Sequence, residues 1–259
     1  MIFIGSLEKG FLMSKRRFEH ANNPVFACAD SVLLLPFGRR SFLPAIVDAC
    51  GGEAVTLDET TDREVFQLTA TPSDVTLVYS GMGSPAAANA LEMVAAAGVK
   101  RVVVFGACGG VADEVGIGEL VIATGAVRGE GTSAYYAPPG FPAAFDPLLT
   151  ARLWETATRS DVGAHRGVVF TTDAGYRQGP EIYEDCRGLV IGVESECAAA
   201  AVVSASLGLQ AGALLFCTDN VNQPREEDHG YRGLQDQRVK LGFDAGLEAA
   251  IAVLSAPIE

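Results

Sequence analysis

Three short stretches carry residue types that could do chemistry. In Gly192-Val193-Glu194-Ser195-Glu196-Cys197-Ala198-Ala199, two carboxylates enter an Ala-rich run directly after an apolar one. Glu194 reads as a partner for a helix dipole, because negative charge is favoured where backbone N–H groups lack intrahelical partners. Glu196 asks for more. An acid between a buried strand and an apolar helix must find donors, and a sugar diol supplies two hydroxyls. In Phe216-Cys217-Thr218-Asp219-Asn220 an apolar strand ends in an acid, which could either face a crevice at the strand tips or cap a following turn. In Gly81-Met82-Gly83-Ser84-Pro85-Ala86 two glycines join a strand to a helix, the loose pattern of a dinucleotide site. Such a site also wants an acid about 20 residues on, at the end of the next strand. That strand reads Val104-Phe105-Gly106 and offers none. The glycines then either let a smaller ligand lie against the helix N-terminus or serve close helix–strand packing.

These residues need a scaffold, and the composition says which kind. The chain has 259 residues, 49% hydrophobic and 20% charged, with 29 Gly and 12 Pro, an ordinary globular balance. Its formal charge is −13, from 19 Lys+Arg against 32 Asp+Glu. An acidic field of this size repels polyphosphate, so nucleic acid is not the expected partner, and an anionic ligand must be drawn in by local arginines. No apolar run reaches the ~20 residues of a membrane span. Glu8 and Lys9 interrupt the first apolar segment where a secretory leader would run. Met13, followed by Ser-Lys-Arg-Arg, marks residues 1–12 as an extension or alternative start, with the folded domain over 13–259. The six cysteines show no C-x-x-C spacing and read as free thiols of a cytoplasmic protein. His20, His165 and His229 lie too far apart in sequence to suggest a metal centre.

Strand-length apolar runs at Ser31–Leu35, Val75–Ser80, Arg101–Phe105, Leu120–Thr124, Gly167–Thr171, Leu189–Val193 and Ala213–Cys217 are continuous, as strands covered on both faces are. The spacing predicts a helix after Val75–Ser80, capped by Ser84, started by Pro85 and stopped at Gly98. Two more are predicted from Glu194 to Leu207, stopped by Gly208, and from Leu234 to Leu254, with apolar positions 239, 241, 243, 247 and 250. The expectation is one three-layer α/β domain, a central mixed sheet flanked by helices.

In order along the chain, Gly-Met-Gly-x-Pro, Val-Phe-Gly-Ala-Cys-Gly-Gly-Val, Gly-Glu-Leu-Val-Ile-Ala-Thr-Gly-Ala-Val-Arg-Gly-Glu-Gly-Thr-Ser with Tyr136, Pro138, Phe141 and Pro142, then Gly-Val-Glu-Ser-Glu-Cys-Ala and Cys-Thr-Asp-Asn, resemble the purine nucleoside/uridine phosphorylase family. The resemblance runs from about His20 to the C-terminus. It implies cleavage of an N-glycosidic bond by phosphate, giving free base and pentose 1-phosphate, with inorganic phosphate as co-substrate and no metal or cofactor. It places Glu196 on the ribose hydroxyls, with Ser195, Met82 and Gly83 around the sugar. Asp219 and Arg232 fall at the spacing of the purine-type catalytic acid and its arginine, the acid protonating N7 of the leaving base. The uridine branch carries Gln-x-Arg near Tyr183, where this chain has Pro180-Glu181-Ile182. His20 fits a histidine lent by a neighbouring subunit to the 5′-hydroxyl and Arg63 an arginine lent to phosphate, in dimers built into hexamers.

The departures concern phosphate and base. The family's Pro-Gly-Asp-Pro-x-Arg loop is here Pro36-Phe37-Gly38-Arg39-Arg40, leaving Arg40, or else Arg39, as the phosphate arginine. The arginine and hydroxyl residue flanking the Gly-x-x-Gly segment are Val104 and Ala107, which forfeits charge-assisted hydrogen bonds worth ~1.5–3 kcal/mol each. The residue expected to stack on the base is Gly175, which leaves Tyr176 to cover it. Three functions stay open: a purine-type phosphorylase using Arg40 and Arg63, a hydrolase using water, or a nucleoside-binding protein without turnover.

Overall fold

The computed structural model describes residues 29–36, 44, 46–47, 54–59, 64–68, 75–175, 184–222 and 233–257. In chain order these form β1 (Ser31–Leu35), β2 (Ala54–Glu59), β3 (Glu64–Leu68), β4 (Val75–Tyr79), α1 (Ser84–Ala96), β5 (Arg101–Gly110), β6 (Leu120–Gly129), β7 (Ala143–Ala144), α2 (Pro147–Ala157), β8 (Ala164–Thr172), β9 (Gly192–Glu194), α3 (Cys197–Leu207), β10 (Gln210–Asn220) and α4 (Gln237–Ser255).

One mixed sheet runs β10-β6-β8-β9-β5-β1-β4-β3-β2, with β7 beside β6 and a second pairing of β10 with β5. That extra pairing closes β10, β6, β8, β9 and β5 into a ring, from which β1, β4, β3 and β2 extend as a wing. Strands β4, β1, β5 and β10 are mutually parallel, so their carboxyl ends share one edge. Within the arginine-to-phenylalanine start of β5, Val102 and Val104 face one helix layer while Val103 and Phe105 face the other. Helices α1 and α3 cover the first face, and α2 and α4 the second. This is the three-layer mixed α/β domain that the apolar runs predict. Each fully buried Val, Leu or Phe contributes about 1.5–3 kcal/mol, and Phe105, Phe216 and Phe243 pack mutually with ring centroids 5.4–5.6 Å apart.

Several predicted boundaries move, each for a physical reason. β5 does not end at Phe105 but continues through the glycine-rich Gly106-Ala107-Cys108-Gly109-Gly110, because β10 and β9 supply backbone partners there. β9 covers only Gly192–Glu194 of the apolar run that begins at Leu189. α1 is N-capped by Gly83 rather than Ser84, whose hydroxyl instead donates to the Ser195 carbonyl at 2.7 Å. α3 begins at Cys197, after both glutamates, and α4 at Gln237, where the Asp236 side chain accepts the Arg238 N–H. Leu241 is exposed, off the buried stripe of α4. Gly98 and Gly208 take the positive φ expected of helix stops, +89° and +72°. Among the described residues no helix is long and apolar enough to cross a membrane.

Candidate active site

Gly81 and Gly83 follow β4 with φ of +78° and +99°. A Cβ on either would meet nothing closer than 3.8 Å, so these glycines serve a left-handed backbone rather than tight helix–strand packing. That turn aims the Gly83 N–H away from its own helix and onto the Glu196 Oε1, 2.6 Å away. Glu196 sits at the N-cap of α3, buried, so two helix N-termini meet at its carboxyl. Burial first, and the charge of Glu194 second, push the Glu196 carboxyl from 4.5 up to about 8, against the pull of the Gly83 and Ser195 N–H groups. Glu194 is also buried and raised by desolvation. Its carboxylate takes the N–H groups of Glu196 and Cys197, each at 2.7 Å, and the hydroxyl of Thr171.

Asp219 lies at the tip of β10, half-buried, just past an irregularity that shifts the β10–β5 register between Cys217 and Asp219. Its Oδ1 accepts from Thr218 Oγ1 at 2.8 Å. The turn that follows is capped by Asn220, whose Oδ1 takes the Asn222 N–H, so the acid is not spent there. Gly109 of β5 is in register with Asp219 on one side and with Val193 of β9 on the other. A Cβ at Gly109 would stand in ordinary contact, 3.7 Å, with both Asp219 carboxyl oxygens and closer, 3.3 Å, to Val193, so the acid lies directly beside this bare stretch of strand. Glu196 and Asp219 therefore stand at the same edge of the sheet, flanking the glycine-rich end of β5. Met82 is exposed beside this edge and Ser195 half-buried. Val104 is buried in the core and Ala107, in the strand end that reaches this edge, carries only a half-buried methyl, so neither side chain offers a cation or hydroxyl here. His20, Arg40, Arg63, Tyr176 and Arg232 lie outside the described residues. Among the described residues no group of three His, Cys, Asp or Glu could hold a metal ion.

The sequence matches the model of the Phosphorylase superfamily over residues 45–257. The chain belongs to this superfamily. A guanosine phosphorylase of Halorubrum lacusprofundi is 32% identical over 151 residues, 58% of this chain and 62% of the relative. A uridine phosphorylase of Klebsiella aerogenes is 32% identical over 154 residues, 53% of this chain and 60% of the relative. A DeoD-type purine nucleoside phosphorylase of Dichelobacter nodosus is 30% identical over 144 residues, 54% of this chain and 61% of the relative. The chain spans about three-fifths of the length of these curated relatives. The crystal structure of uridine phosphorylase from Vibrio fischeri superposes with a TM-score of 0.76 at 23% identity, covering 88% of this chain and 92% of that one, a likeness of fold.

Two residues of this superfamily member escape a sequence reading. Thr171 of β8, in register with Glu194, gives its hydroxyl to Glu194 while accepting the Ala198 N–H at 2.9 Å. Arg128, in register with Thr171, spends its guanidinium on the carbonyls of Ala137, Pro138 and Phe141 and on the Ser133 hydroxyl, and so shapes the segment after β6. The Glu92–Tyr136 hydrogen bond ties the same segment to α1. The strand end Val-Arg-Gly-Glu-Gly-Thr-Ser signals a turn, but only the fold shows that its arginine serves backbone carbonyls.

Proposed function

We propose that the protein cleaves the N-glycosidic bond of a purine nucleoside with inorganic phosphate, releasing the free base and a pentose 1-phosphate. The observation that carries this reading is the pairing of a buried carboxyl at two helix N-termini, Glu196, with a half-buried acid at the same sheet edge, Asp219. Bond cleavage leaves positive charge on the sugar and negative charge on the departing base. Ionised Glu196 accepts the sugar hydroxyls and stabilises the first, and Asp219 hands a proton to the ring nitrogen and relieves the second, so both act on one transition state. Phosphate adds to the sugar carbon as the base leaves with the proton. Asp219 and the Pro180-Glu181-Ile182 segment favour purine over pyrimidine; the relatives bear purine, guanosine and uridine names alike. In this reading Arg40 binds phosphate, His20 and Arg63 come from a neighbouring copy, Tyr176 covers the base and Arg232 closes on Asp219, without metal or cofactor.

One observation favours a second reading. With Val104 in the core and Ala107 apolar, the anion side of the site has lost two ligands, which suits water as the acceptor and a nucleosidase. The test is a panel of inosine, adenosine, guanosine and uridine assayed with and without phosphate. Phosphate-dependent release of hypoxanthine, adenine or guanine is the expected result. Release unaffected by phosphate establishes the nucleosidase, and binding without release removes both.

A further inference from the structure

The N-terminus of α3 is capped in an unusual way. The first N–H groups of a helix have no intrahelical partner, and the N-cap side chain ordinarily takes one of them. Glu196 occupies that position, yet its side chain makes no capping bond. The duty falls to two residues of neighbouring strands. Glu194 Oε2 accepts the N–H groups of Glu196 and Cys197, and Thr171 Oγ1 accepts that of Ala198 while its own proton goes to Glu194 Oε1. Thr171 and Glu194 are register partners of β8 and β9, so the cap is delivered by the sheet. With its own helix already satisfied, the Glu196 carboxyl turns across to α1 and takes the Gly83 N–H.

We propose that Glu194 is the positioning residue of this site: by capping α3 from strand β9, it frees the Glu196 carboxyl to lie at the Gly83 turn and meet the substrate's sugar hydroxyls. The proposal rests on reading Glu196 as the sugar-binding carboxylate. Burying two carboxyls two residues apart is costly, since each is desolvated and they repel. A fold keeps such a pair where each has its own donors, and here the donor sets are disjoint apart from the shared backbone: Thr171, Glu196 N–H and Cys197 N–H for one, Gly83 and Ser195 N–H for the other. If residue 194 could no longer accept two N–H groups, the nearest acceptor for them would be the Glu196 carboxyl itself, which would then swing back onto α3 and leave the sugar. The titratable groups facing this pair are the thiols of Cys197 on α3, pushed up by burial and then by the Glu194 charge, and of Cys108 on β5, pushed up by its hydrogen bond with Cys217 and then by burial.

The test uses Glu194→Leu, which has no acceptor for the α3 N–H groups, and Glu194→Gln, whose amide oxygen still takes them, in the full-length protein. Kinetics are measured on a ribonucleoside and on its 2′,3′-dideoxy analogue, and the Glu196 carboxyl is titrated by ¹³C NMR, assigned by its disappearance in Glu196→Gln. In Glu194→Leu the ribonucleoside KM rises at least tenfold, whereas kcat/KM for the dideoxy analogue, which has no hydroxyls for Glu196, changes less than twofold; in Glu194→Gln, which keeps the cap, the ribonucleoside KM stays near wild type. The Glu196 titration lies at lower pH in Glu194→Leu than in Glu194→Gln, because only without the cap does the carboxyl take the α3 N–H groups. Equal losses on both sugars would reduce Glu194 to a merely structural role, and a Glu196 titration alike in the two variants would overturn the proposal outright. Wild-type protein without nucleoside turnover sinks the functional reading instead, and the NMR titration alone then decides the placement of Glu196.

Discussion

The Glu196 carboxyl and the Gly83 N–H meet at 2.6 Å and join the N-termini of α3 and α1, two helices on the same face of the sheet. Each helix end contributes positive partial charge, and the acid lies between them. What keeps this arrangement from holding the carboxylate permanently ionised is burial, reinforced by Glu194, which together lift the group to about 8.

That shift makes the ligand-free fold sensitive to pH. A carboxyl whose folded value exceeds its unfolded value contributes stability that is complete below about 4.5 and lost as pH climbs through about 8. Wild-type protein should therefore lose stability across this window, and Glu196→Gln, which cannot ionise, should lose less. Urea-unfolding midpoints at pH 5 and pH 8 decide the matter: the gap in favour of the Gln variant widens toward pH 8, and parallel slopes would show that Glu196 is not held protonated by the fold.

Asp219 makes a different prediction, about rate. Replacing it with Ala or Asn removes the proton offered to the leaving base, and general-acid help is worth typically 10²–10⁴-fold. Turnover of a purine nucleoside should fall by at least the lower figure, with nucleoside affinity in calorimetry changed far less. Wild-type turnover in Asp219→Ala would mean that another group protonates the base.

Gly83→Ala separates backbone geometry from space. A Cβ there has room, with Pro85 Cδ the nearest atom at 3.8 Å, so the penalty comes from the backbone at φ +99°, ψ +155°, a region essentially reserved to glycine that costs an L residue on the order of 1–3 kcal/mol. The variant should fold with a lowered Tm and lose sugar affinity, because relaxing φ turns the 83 N–H away from Glu196. A variant equal to wild type in KM would show that this hydrogen bond does not place the carboxyl.

How much of this was readable beforehand follows from where each signal resides. Continuous apolar runs at Ser31–Leu35 and Arg101–Phe105 announced strands with both faces covered, and Pro85, Gly98 and Gly208 marked helix ends through backbone preferences intrinsic to those residues. Glu196 and Asp219 stood out as acids at the ends of apolar strands. The glycine-rich half of β5 was invisible because glycine carries no side-chain pattern, and only pairing with β9 and β10 makes it strand. α2 went unread although Asp146-Pro147 is a cap followed by a helix-starting proline, with Asp146 accepting the Leu149 N–H at 2.8 Å. The cap from Glu194 to α3 could not be read at all, since it depends on the register of β8 against β9.

The loss of phosphate ligands gives the last prediction, and the two positions behave differently. Val104 is enclosed by the α1–α3 core, so Val104→Arg would bury a charge with no partner there and should unfold the protein rather than restore phosphate binding. Ala107 is half-buried on the other face of β5, one residue before Cys108, in the part of the strand that reaches the site. Ala107→Ser adds one hydroxyl and little volume. A hydrogen bond to a charged group is worth about 1.5–3 kcal/mol, and 1.4 kcal/mol is a factor of ten, so the KM for phosphate should fall about tenfold or more while the nucleoside KM holds. Steady-state kinetics at varied phosphate measure this directly. A phosphate KM unchanged in Ala107→Ser, with the fold intact, would place the anion elsewhere than beside β5 and leave water as the better acceptor.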